Sequence, residues 1–226
     1  GFIGRVQDLN QNSVIKFEDC TNDGMISNEY GWFNYVGGFI GEFRKNTNVI
    51  LTISHSKNGN VTGTGWNVGG ILGSMSDNNQ VSVTISRFTN NAIVFSYDGS
   101  YGVFVGYIAR NRNMTVTISN STNIGFVTGH RENVGGFVGC VDYNRKMTMS
   151  FFNYSNNGFV TGSWFVGLFV GCIYWNTMID VTTLNSVNNG IVTGNGWVGG
   201  FVGHVSSNTN MVMTTSNSTN NGIVSV

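Results

Sequence analysis

Three histidines and three cysteines are the side chains of this chain best suited to chemistry, and their spacing treats the two sets differently. His55, His130 and His204 fall in different columns of the repeat set out below, so they do not converge. No H-E-x-x-H or paired-cysteine motif accompanies them. The acids Glu132, Asp142 and Asp180 are scattered over different turns. The sequence therefore predicts no catalytic residue, no metal site and no cofactor. Cys140 and Cys172 lie 32 residues apart and follow equivalent tetrads. In a stacked array they would sit roughly 4.8 Å apart, close to disulfide Cα spacing. They read either as a disulfide between coils or as two free thiols. Cys20 has no partner in its column.

Two further groups carry surface chemistry. Sequons stand at Asn60, Asn113, Asn120, Asn153 and Asn217, and Asn120, Asn153 and Asn217 share one column. They mark N-glycosylation in a secreted eukaryotic setting, whereas a chain rich in Asn, Ser and Thr also makes such matches by chance. Trp66, Trp164 and Trp197 sit near one turn, with Trp32 and Tyr101 close by. Such a ridge either stacks on sugar rings or packs over a wide turn.

The elements that must position these residues come from one repeated unit. Tetrads of the type G-[FIL]-[IVL]-G end at Gly4, Gly41, Gly73, Gly106, Gly139, Gly171 and Gly203, giving spacings of 37, 32, 33, 33, 32 and 32 residues. A fixed period of this size marks a stacked array. Three strand signals recur in each unit: the tetrad with two following residues, an alternating run such as Met114-Thr-Val-Thr-Ile-Ser119, and a short strand such as Gly190-Ile-Val-Thr-Gly194. Asn-rich and Gly-rich turns separate them, with no helical periodicity. The expected fold is all-β: a parallel β-helix of about seven coils of 32–33 residues with three short strands per coil. The units fall near 1–37, 38–69, 70–103, 104–135, 136–167, 168–199 and 200–226, in one continuous array. Seven coils would span roughly 34 Å at about 4.8 Å per coil. Right-handed coiling is expected from the general crossover preference.

Alternation assigns the columns. Leu51, Val83, Val116, Met149, Val181 and Met213 face inward, and the next inward column begins Ile53, Ile85, Ile118, Phe151. Between them Thr52, Thr84, Thr117, Ser150, Thr182 and Thr214 face out. Phe2, Phe39, Ile71, Phe104, Phe137, Phe169 and Phe201 form an inner aromatic-rich ladder. By the same pleat Ile3, Ile40, Leu72, Val105, Val138, Val170 and Val202 point outward as an assembly stripe, unless a bend at the Gly-Gly step turns them in. Asn22, Asn90, Asn123, Asn156, Asn188 and Asn220 align before the third strand as a structural ladder.

Composition closes off several function classes. Charge is only 10%, with 11 basic and 11 acidic residues, so the basic footprint of nucleic-acid binding is missing. Asp8, Glu18, Asp19, Asp23, Glu29 and Glu42 gather in the first 42 residues as a more polar starting end. No run of about 18 apolar residues spans a membrane. The chain starts without Met and inside the repeat, which reads as a mature, processed or truncated piece of a longer array.

The tetrad spacing, the Asn-rich turn and the [IF]-V-T-G strand together resemble the GLUG-motif repeat family. One unit reads Asn188-Asn-Gly-Ile-Val-Thr-Gly-Asn-Gly-Trp-Val-Gly-Gly-Phe-Val-Gly203. Phe usually stands where the family has Leu, and Val103 and Leu168 each replace a glycine. The resemblance covers essentially the whole chain. It implies an extracellular surface or adhesin-like solenoid and brings no catalytic residues. The leading expectation is a non-catalytic extracellular filament or coat protein, self-associating head to tail. The alternative is a surface adhesin that binds glycans through the Trp ridge. A third reading is ice binding by the outward Thr column with Ser54, Ser86 and Ser119, though Ile50, Phe152, Asp180 and Leu184 break its regularity.

Overall fold

The computed structural model describes residues 1–28, 35–130 and 133–226, and within them the chain is an all-β solenoid of about seven turns. Every pairing between neighbouring coils is parallel and in register, as in Leu72↔Val105 and Val83↔Val116. Described strands form five ladders rather than the three expected, three of them seven-stranded and two six-stranded. The tetrad sheet includes Ile40–Arg44 and Val138–Asp142; the threonine sheet includes Val49–Ser54 and Arg112–Ser119; the valine sheet includes Val61–Gly63 and Phe126–Gly129. The two additional ladders are very short. One is a two-residue asparagine bridge, such as Thr89–Asn90, and the other a three-residue strand, such as Asn67–Gly69, just before the tetrad. Segments this brief carry no alternation from which a strand can be read.

That last strand decides where the tetrad points. It folds back against the tetrad strands so closely that a Cβ on Gly73 would stand 2.7 Å from the backbone nitrogen of Val36 and 2.8 Å from its oxygen. Glycine is required for this approach. The face that simple alternation gave to solvent is thereby covered. Ile40, Leu72, Val105, Val138 and Val170 are fully buried, while Ile3 and Val202 in the outer coils pack partly against the core. The expected outward assembly stripe is thus an interior column.

Other inward columns follow the pattern. Leu51, Val83, Val116 and Met149 are buried, and the Thr column beside them is half-buried up to Thr182. In the aromatic ladder, ring centroids are 5.0 Å apart for Phe104–Phe137, 4.8 Å for Phe137–Phe169 and 5.2 Å for Phe169–Phe201. Ile71 interrupts the ladder, and Phe88 from a different corner of the same coil fills the gap, 5.8 Å from Phe39 and 5.6 Å from Phe104.

Corners are made by single residues in the left-handed region, where a bend of one residue redirects the strand. One such column is Lys45, Asp77, Arg110, Tyr143, Trp175 and Ser207, with φ between 51° and 57°. Directly after it runs a buried asparagine ladder, Asn46, Asn78, Asn111, Asn144, Asn176 and Asn208. Each side-chain oxygen accepts from the backbone N–H and amide of the previous coil; Asn111 Nδ2, for example, donates to Asn144 Oδ1 at 3.0 Å and to Met75 O at 3.0 Å. The ladder expected before the third strand runs from Asn90 through Asn123, Asn156 and Asn188 to Asn220, linked at 2.6–2.9 Å, whereas the Asn22 side-chain nitrogen does not join it. Buried amides satisfied in this way lock coil to coil.

Candidate functional surfaces

Cys140 and Cys172 are register partners with Cα atoms 4.7 Å apart, and the structure joins them as a disulfide. Both are fully buried. Cys20 is free and half-buried. The sequence spacing left a disulfide and two free thiols open; the register of the parallel ladder brings the two sulfurs together.

The three tryptophans do not make one ridge. Trp66 stands three coils before Trp164, in the same column, and Trp197 lies one position further along on the next strand. Trp164 and Trp197 do meet, with stacked rings 6.1 Å apart, and both are exposed. Trp66 instead borders a groove of about 370 Å³ with Tyr35, Asn67, Tyr107 and Asn133. Tyr101 is wholly buried. Trp32, Glu29 and Glu132 lie outside the described residues.

All five sequon asparagines are exposed. Asn120, Asn153 and Asn217 share a corner column in the left-handed conformation, and Asn153 Nδ2 donates to Asn120 Oδ1 at 3.1 Å. His55 lies 2.6 Å from Arg87, His130 lies tilted against Tyr97 at 5.3 Å, and His204 stacks on Phe165 at 4.5 Å, so the three imidazoles stay apart. Among the described residues, no group of three or more His, Cys, Asp or Glu is placed to hold a metal. Nor, among the described residues, is any helix long and apolar enough to cross a membrane.

One buried carboxyl deserves a physical account. Asp142 is almost fully buried; burial raises its pKa, opposed by the Tyr107 hydroxyl, which donates to Oδ2 at 2.8 Å, and by Arg110. Burial first, and then that hydrogen bond, push the Tyr107 hydroxyl far up as well. The pair bridges adjacent strands of the tetrad sheet, Val105–Ala109 and Val138–Asp142.

An outward apolar stripe does exist, on a different sheet. Ile93, Phe126, Phe159, Ile191 and Ile223 are register partners along the valine sheet. Four of them are exposed and Ile191 is half-buried, and the Phe126 and Phe159 rings stack at 4.8 Å. Thr128, Thr161 and Thr193 flank it, and Asn157, Asn189 and Asn221 form an exposed hydrogen-bonded row beside it. No charged residue interrupts these rows. No protein-family model, curated protein or solved structure matches the chain.

Proposed function

We propose that this chain is a non-catalytic structural segment of an extracellular protein, a stiff β-solenoid that builds a filament or surface coat by self-association end to end. The observation that carries this reading is the unbroken register of the coils. Each coil edge is completed by the next, so the outermost ladders offer the same hydrogen-bonding pattern to a further coil, whether from the same chain or from another copy. A contact of that kind is heterologous and open-ended, which gives fibres. The exposed stripe from Ile93 to Ile223 favours lateral association of such rods. The Cys140–Cys172 disulfide supports an oxidising compartment outside the cytosol.

Sedimentation velocity over a wide concentration range tests this. The reading expects growth through multiples of the 24.5 kDa chain as concentration rises. A chain that stays monomeric at high concentration refutes it.

A second reading, a glycan-binding surface module, is favoured by the exposed Trp164–Trp197 stack. A broad glycan array decides it: binding lost in Trp197→Ala supports the reading, and no binding by the unaltered chain ends it.

A further inference from the structure

The corner between the tetrad and threonine sheets holds an arrangement that the rod role does not require. Arg112 and Arg145 are direct register partners on adjacent coils, and Lys146 follows. Partners in neighbouring parallel strands stand about 4.8 Å apart at the backbone. Like charges set opposite each other in this way destabilise a sheet. All three side chains are exposed, and among the described residues no carboxylate pairs with any of them. Arg110, one corner residue earlier, differs: its Nε donates to Asp77 at 2.9 Å. Asp180, on the coil after Lys146, is exposed and makes no ion pair with the cluster. In a chain with only 10% charged residues and no net charge, three unmatched cations on two adjacent coils stand out.

An aromatic pair adjoins these cations. Across the corner, Tyr143 and Trp175 stack at 5.0 Å and are both exposed. Arg112, Arg145, Tyr143, Asn144 and Trp175 line a groove of about 590 Å³, together with Asp77, whose carboxylate is paired with Arg110; Lys146 lies outside it, beside Arg112 and Arg145 in an adjoining depression.

We infer that this groove binds an acidic oligosaccharide, whose carboxylate or sulfate groups bridge Arg112 and Arg145 while a sugar ring lies against Tyr143 and Trp175, with Lys146 beside the arginines adding positive charge at the rim. Guanidinium forks suit planar or tetrahedral oxyanions, and exposed rings with a polar tip suit sugar faces. Three cations are too few for the phosphate-dominated grip of nucleic acid. This inference stands independently of the rod proposal, since a groove can be filled whether or not rods associate.

The test is isothermal titration of the whole chain with a heparin-derived hexasaccharide, a neutral maltohexaose and single-stranded DNA of matching charge. The inference expects binding of the sulfated hexasaccharide, and neither of the others at comparable affinity. Arg112→Gln/Arg145→Gln should weaken it about tenfold or more, and Trp175→Ala about fivefold. The double variant should also raise the unliganded melting temperature by about 1–2 °C through relief of repulsion, which verifies that it folds. No binding by the unaltered chain, equal binding of DNA, or binding unchanged in both variants overturns the inference.

Discussion

At the scale of single residues, the coils are fastened by ladders of buried, hydrogen-bonded asparagine amides. Asn111 accepts from Asn78 and donates to Met75 O and Asn144. Replacing it with Ala strands buried partners on both sides. The cost is about 2–4 kcal/mol, read as a fall in the urea midpoint with an unchanged slope. Asp142 makes a different prediction. Its folded pKa is raised by burial, so the protonated form is the one the fold favours. Its contribution is fully present below the unfolded carboxyl pKa and is lost as pH rises through the folded value. Compared with Asp142→Asn, the unaltered chain should gain stability as pH falls from 7 toward 3. Parallel melting curves for the two proteins across that range would contradict this account of the carboxyl.

At the scale of elements, close approach and compensating volume determine the coil. Gly73→Ala places a Cβ 2.7 Å from the Val36 nitrogen, against rigid backbone, whereas Gly4→Ala meets nothing within 4 Å. The first should cost about 3 kcal/mol or more or prevent folding, and the second should be tolerated within about 0.5 kcal/mol. Thermal melts of the pair test the packed-strand geometry directly. Phe88 stands in for the ring missing at Ile71. Phe88→Ser should therefore cost about 3–5 kcal/mol, and Ile71→Phe in the same chain should restore much of it, since Phe39/Ser56 and Phe104/Ser121 already pair a ring with a serine. A double variant no more stable than the single would refute that exchange.

These elements also mark what was legible beforehand. Period, parallel stacking, the aromatic ladder and the proximity of Cys140 and Cys172 followed from spacing, because a one-dimensional stack converts sequence period into contact, while whether the two thiols are joined did not. Alternation misassigned Ile40 and its column because the strand at Tyr35–Gly37, three residues long, covers that face. The exposed Phe126 column was missed because Phe126 and Val127 are both apolar, and only the register shows which one faces in. The Asn46–Asn208 ladder and the Arg112/Arg145 pair recur at coil spacing and were findable by aligning every column rather than the strands alone.

At the scale of the whole molecule, the disulfide ties two neighbouring coils in the second half of the array. Closing a loop of 32 residues, it should contribute about 3–4 kcal/mol. Cys140→Ser/Cys172→Ser should lower the unfolding midpoint by that amount without altering the coil count seen by hydrogen exchange. The central claim concerns what these coils do together, and electron microscopy of the purified chain in native buffer tests it most directly. The account predicts straight, unbranched fibres whose axial repeat is about 34 Å, seven coils of about 4.8 Å. Isolated short particles that never join, even at high concentration, would contradict it.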